Sequence, residues 1–331
     1  MTVAALVVII GTVLAVTRAS GFFAFFQASV GTVSGNASVI ADTSASNGKA
    51  VQFNAPSTGG TGGGNTGSTC ALPKYPDATC TGVPVGTSLT AVSGDLEITT
   101  DNAVVSGKDV NGCIDVAAVG VTVKNSKAKC ITTSNSSRAR DPANARLTIQ
   151  DSEVDCGNKL GSTAIGDRNI NVYRTNIHGC ENGFDMDSDS LIQDSFIHDL
   201  YNSVAGDPHT DGLQSGVGSN LTINHNTFYG FDTGCKYPND GSCNGTSAVN
   251  IFNAASGPAV HDTTVSNNLL AGGAYTLYCP RVSTTNFNIT NNHFSTIYSS
   301  KVGEYGPSSD CSNETQSGNV YHESGAALKL E

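Results

Sequence analysis

The chain has 331 residues, enough for one large domain or two of ordinary size. Tryptophan is absent, glycine is abundant at 37, and only 14% of residues are charged. The net charge of −11 argues against a nucleic-acid partner, because phosphate binding needs a basic surface, and it means that an acidic substrate would need a bridging cation or a local basic patch.

Residues 4–16 form an apolar run followed by Arg18. The run is short for a membrane span and suits a signal-peptide core, with an N-terminal membrane tether as the alternative. Residues 1–28 are therefore assigned to a signal peptide or anchor. Residues 29–69 are small and polar and end in a Gly/Ser/Thr linker, with weak alternation that suggests a short strand pair. Residues 70–328 are assigned to one domain, entered through a proline-containing loop between Cys70 and Cys80.

From Leu96 onward short β-branched runs alternate with Asn, Asp, Ser and Gly, which is a strand-and-turn signature. One register recurs at 121–123, 147–149, 170–172, 191–192, 221–223, 264–265 and 287–289. A polar pair follows each run, such as Gln150-Asp151 or Ser266-Asn267, and then a second short apolar element, such as Phe196-Ile197. A period of roughly 20 to 31 residues means a solenoid, and strand content without helical pattern makes it a β-solenoid. No single coil can bury its apolar side chains. Stacking coils about 4.8 Å apart pairs each strand with the next in parallel and gathers Val, Ile, Leu and Phe into columns. Asn224, Asn267 and Asn291 at repeated corners are expected to form hydrogen-bonded ladders. The closing Lys329-Leu330-Glu331 reads as a cloning remnant with no part in the fold.

Ten cysteines point to an oxidising compartment, and hence to a secreted or cell-surface protein. Neighbour pairing would join Cys70–Cys80, Cys113–Cys130, Cys156–Cys180, Cys235–Cys243 and Cys279–Cys311, though sequence does not fix connectivity. No CxxC pair is present, which argues against zinc.

The repeat over 96–321 resembles the right-handed parallel β-helix of the pectate-lyase-like superfamily. The fold expectation is an all-β, single-stranded right-handed parallel β-helix. A third strand in each coil carries Phe184, Met186, Leu213, Val249, Ile251 and Leu277 inward by alternation. Asp185, Asp187, Gln214, Asn250 and Tyr278 then face out on adjacent coils, with Asp211 close by. In the resembling enzymes this face lines the substrate groove, so Gln214, Asn250 and Tyr278 are candidate substrate-binding residues.

Asp185, Asp187 and Asp211 would repel one another unless a cation joined them, and hard oxygen ligands suit calcium. Ca²⁺ held there would bridge to an acidic sugar. The alternative is solvated turn acids. The segment Asp207-Pro208-His209 resembles a motif of mannuronan C5-epimerases, and Tyr229-Gly230-Phe231-Asp232 resembles its companion, though here the two are not contiguous. This makes His209 a candidate catalytic group and Tyr229 a candidate binding group. Arg281 follows Tyr278-Cys279-Pro280 much as a groove arginine does in pectate lyases, where it removes the C5 proton; Lys236 is a further candidate cation. His178 and His198 occupy equivalent positions in successive coils and are expected to stack as a structural pair.

A uronide C5 proton is acidic only when the adjacent carboxylate is neutralised. A base must then reach C5 and an acid must protonate the leaving oxygen. The expected function is a Ca²⁺-dependent polysaccharide lyase, monomeric, acting on an acidic glycan. The alternatives are a uronan C5-epimerase or a non-catalytic carbohydrate-binding solenoid. A two-carboxylate hydrolase is also conceivable, but the polygalacturonase-like set of Asp pair, Gly-His-Gly and Arg-x-Lys is absent.

Overall fold

The computed structural model describes residues 70–134, 138–201, 209–216, 218–231, 245–252, 260–282 and 284–331, together with the backbone of four short strands nearer the N-terminus. The chain divides into two units, residues 1–64 and 65–331. In the first, Val7–Ile9 pairs with Thr12–Leu14, and Ala37–Ala41 pairs with Lys49–Phe53, both antiparallel. The second pair is the hairpin suggested by the weak alternation there. The signal-peptide and linker assignments otherwise lie outside the described residues.

The second unit is a parallel β-helix. Nine strands, from Val104–Ser106 to Thr315–Ser317, form one sheet in which neighbours in space are successive coils. A seventeen-stranded sheet holds the other two strand rows of each coil, fused where Glu153–Asp167 and Asn176–Met186 run through both. Every described pairing in these two sheets is parallel.

Alternation within each short strand sends one side chain inward, and parallel register stacks it on its counterpart in the next coil. One column runs Val123, Ile149, Val172, Ile192, Ile223, Val265, Ile289. A second runs Ile131, Ile165, Phe184, Leu213, Val249, Leu277. A third runs Val154, Ile177, Ile197, Phe228, Leu270, Phe294. All of these side chains are buried. No one coil could bury its share alone, so stability is distributed along the stack.

The corner ladder differs from the sequence expectation by a residue or two. Asn267 and Asn291 take left-handed φ values of 58° and 56° and make the corner itself. Asn tolerates this region better than other non-glycine residues. The residue after the corner points inward and caps the backbone of the preceding coil. The ladder is therefore Asn226, Asn268, Asn292 and Asn319. Asn226 N–H donates to Asn268 Oδ1 at 2.9 Å, Asn268 N–H to Asn292 Oδ1 at 3.0 Å, and Asn292 N–H to Asn319 Oδ1 at 3.0 Å. Ser195, Thr175, Ser152 and Ser126 hold the equivalent place in earlier coils. Asn224 lies outside this line and accepts from Asn267 Nδ2.

Disulfides join Cys70–Cys80, Cys113–Cys130, Cys156–Cys180 and Cys279–Cys311, as neighbour pairing implied; Cys235 and Cys243 lie outside the described residues. Four disulfides mark an oxidising, non-cytoplasmic compartment. Among the described residues no helix is long and apolar enough to cross a membrane. The leading loop is strapped along the corner: Lys74 O accepts from His225 Nε2 at 2.9 Å, and Gly82 N–H donates to Arg174 O at 2.9 Å. The terminal tripeptide is part of the fold. Leu330 is buried, Leu330 N–H donates to Gln316 Oε1, and Glu331 O accepts from Cys311 N–H. It closes on inward polar residues of the adjoining coil: Glu331 N–H donates to Ser308 Oγ, and Gln316 Nε2 donates to Leu330 O.

Candidate functional site

The third strand row presents its outward residues as a file along the wall. Strand register places Glu97 beside Asp115, Asp115 beside Thr132, Thr132 beside Gly166, and Gly166 beside Asp185. Asp185 then pairs with Gln214, Gln214 with Asn250, Asn250 with Tyr278, and Tyr278 with Ser309. Gln214, Asn250 and Tyr278 are thus consecutive on one face, as alternation implied. The close approach of coils here needs glycine: a Cβ on Gly212 would lie 2.5 Å from Ala248 O.

The file has two chemically different halves. The upper half borders a groove of about 730 Å³ whose walls carry Asp95, Glu97, Asp115, Asp167 and Asp185. Burial, and then the charges of Asp167 and Asp187, raise the Asp185 pKa above the ordinary carboxylate value. Arg140 pairs with Asp167 at 2.6 Å, and Asp187 Oδ1 accepts from the Ser188 N–H at 2.5 Å, closing its own turn. The lower half borders a smaller pocket of about 300 Å³, lined by Asn250, Phe252, Tyr278, Arg281 and Asp310 among others. Arg281 Nε donates to Asp310 Oδ2 at 3.2 Å and otherwise stands in solvent.

Asp211 lies behind this lower half. Asp211 shares the inward parity of Leu213, and its pairing with Ser247 keeps the register of Leu213 with Val249, so its carboxyl lies within the wall; the irregularity falls just before it, between Thr210 and Asp211. Asp211 is fully buried. Ser247 Oγ lies 2.6 Å from its Oδ1, and Asn250 Nδ2 donates to its Oδ2 at 3.3 Å. Burial pushes its pKa up to about 7, against the opposing pull of the Ser247 and Asn250 hydrogen bonds. Burial, with the Asp211 charge adding to it, raises the Tyr278 phenol as well.

The three acids expected to share a cation are therefore separated. Asp187 acts on Asp185 within one coil, while Asp211 lies on the next coil and is engaged by Ser247 and Asn250 of the coil beyond. Among the described residues the only three potential ligands converging within 4.8 Å are Cys70, Asp77 and Cys80. Both of those sulfurs are spent in a disulfide. The set Asp185, Asp187 and Asp211 does not fit a three-carboxylate calcium site, because a bound ion needs its oxygens to converge.

Tyr229 belongs to the neighbouring strand row, where its ring meets Phe196 at 5.6 Å and Tyr298 at 5.5 Å, away from the Gln214 file. His209 is exposed at the start of the strand carrying Asp211 and Gln214. Lys236, Asp207 and Asp232 lie outside the described residues. His178 and His198 stack at 5.3 Å, the expected structural pair, and His198 is further held by Asp199 and Asn176. His225 is anchored between Asp194 and the leading loop.

Sequence reasoning missed the upper acids Glu97 and Asp115, Ser247 beneath the wall, and Asp310 beside Arg281. Following the third-strand register back through Leu96-Glu97-Ile98 and Ile114-Asp115-Val116 would have found the first two. Nothing local marks Ser247. The sequence matches no protein-family model, and neither a curated protein nor a solved structure matches it.

Proposed function

We propose that this chain is a polysaccharide lyase of the pectate-lyase-like type, acting outside the cell or on its surface on a uronate-containing glycan. The observation that carries the reading is the lower half of the wall. There a solvent-facing guanidinium, a carboxamide and a phenol line one pocket on a chain of otherwise strong negative charge. Arg281 would receive the uronate carboxylate, drawing charge from it and acidifying C5. A base must take the C5 proton; His209 precedes the far end of its strand and does not line this pocket. Loss of the C5 proton leaves an electron pair that forms the ring double bond as the glycosidic C–O bond breaks. Tyr278, a phenol lining the same pocket and protonated at neutral pH, would return a proton to the leaving oxygen. No step is derived through calcium.

The test is incubation with polygalacturonate and with alginate, with and without chelator. The expected result is new ultraviolet absorbance from an unsaturated product, lost in Arg281→Ala and Tyr278→Phe. Exchange of the C5 hydrogen without chain shortening would replace the lyase reading with the epimerase one. Retention on the glycan with neither reaction would leave a binding solenoid.

A further inference from the structure

The Asn250 carboxamide has one end fixed and one end open. Its Nδ2 donates to Asp211 Oδ2, and its Oδ1 has no partner among the described residues. An amide's orientation is set by the hydrogen bonds around it, and a carboxyl oxygen facing the amide selects the NH₂ end. Ionised, both Asp211 oxygens accept, Oδ1 from Ser247 Oγ at 2.6 Å and Oδ2 from Asn250 Nδ2 at 3.3 Å, so the NH₂ end faces the carboxyl. Other ionisable groups near this carboxyl do not compete for it. Asp185 is engaged with Asp167 and Asp187, Tyr278 feels Asp211 only through its charge, Arg281 is paired with Asp310, and His209 is exposed.

We infer that Asn250 recognises a free sugar hydroxyl through its outward Oδ1, and that Asp211 is the positioning residue that keeps this acceptor turned to the groove. The inference rests on the uronan reading above and sharpens it. A uronate would be held by its carboxylate at Arg281 and by a neighbouring hydroxyl at Asn250, both of which line the same pocket. O-acetylation removes the donor and places a carbonyl where Asn250 also offers only an acceptor. The wall therefore selects unsubstituted over O-acetylated uronan.

The experiment measures dissociation constants by affinity electrophoresis for polygalacturonate and for the same polymer chemically O-acetylated. Wild type should bind the unsubstituted polymer about tenfold more tightly, the equivalent of one hydrogen bond lost with its acceptor left unpaired. Asp211→Asn should keep that ratio, because its amide oxygen can accept from Asn250 while its NH₂ donates to Ser247. Asp211→Ala and Asn250→Ala should bring the ratio to within about twofold. Asn250 is at the surface of the wall, so its variant keeps the test informative even where Asp211→Ala folds poorly. A ratio near one in wild type, or a full ratio retained in both alanine variants, would overturn the inference. Binding with the expected ratio but no cleavage would refute the lyase reading and leave the inference standing. Binding to neither polymer would refute both.

Discussion

Replacing Asp211 with Asn should make the protein more stable at pH 8, and by clearly more than it does at pH 5. Asp211 is buried, and burial pushes its pKa up to about 7. In the unfolded chain the same carboxyl titrates near 3.9. Between those values the folded state holds a proton that the unfolded state has released. Stability from this group is therefore full below about pH 4, falls as pH rises toward 7, and is lost above it. A separation of roughly three pH units at 1.36 kcal/mol each sets a ceiling of about 4 kcal/mol. Asn does not titrate and can keep the bonds with Ser247 Oγ and Asn250, the Ser247 N–H being a third donor to this side chain, so its curve should lack this fall. Urea unfolding of the disulfide-intact domain at pH 5, 6, 7 and 8 measures both curves, provided the slopes agree. The difference between the two proteins isolates Asp211 from every group they share. Glu153, held down to about 2 chiefly by its His178 hydrogen bond, loses its contribution only at much lower pH. Parallel curves for wild type and variant would refute the reasoning, and so would an Asn variant less stable than wild type at pH 8.

The ladder makes a contrast between neighbours. Asn268→Ala removes buried bonds to Ile223 O, Asn292 and Asn226 and should cost roughly 2–4 kcal/mol by urea midpoint. Asn267→Gly, at the left-handed corner next to it, should cost under about 1 kcal/mol. Ile192→Ala in the first core column should cost about 2–5 kcal/mol. Arg281→Ala should shift stability by less than about 0.5 kcal/mol, because the Asp310 pair is solvent-exposed, while lowering lyase activity at least tenfold in the ultraviolet assay. Chelator should leave wild-type activity within about twofold, since Asp185, Asp187 and Asp211 do not converge.

The strand rows and four disulfides were legible because both follow from periodicity. A two-residue alternation fixes which side chains go inward, and a coil-length spacing brings cysteines into register, as at Cys113 and Cys130. The corner was harder. Asn267 and Asn268 are adjacent and identical, and only backbone φ shows that one makes the bend while the other fills the ladder. Asp211 was harder still. It lies two residues before inward Leu213, so alternation turns it into the wall, but a carboxyl there goes against the ordinary preference of acids for the surface. The same residue type at Asp185 stays on the groove because it shares the outward parity of Gln214, with which it pairs. For Tyr229 the motif resemblance carries no information about which strand row the residue occupies, and the structure puts it in the row beside the Gln214 file.

An acidic protein and an acidic sugar pose a conflict that the wall resolves by distance. Asp185 and Tyr278 are three coils apart in register, which at about 4.8 Å per coil is ~14 Å along the axis. The Debye length at physiological ionic strength is about 8 Å, so exposed charges at the two ends are largely screened from each other. Distance therefore keeps the five carboxylates of the groove above apart from Arg281, which pairs locally with Asp310. Strand pairing makes this spacing rigid, because shortening it would require breaking backbone hydrogen bonds in every coil between. Gln214 and Asn250, neutral and in register, fill the interval. Charge at either of those positions would join the two fields and abolish the separation on which uronate capture at Arg281 depends.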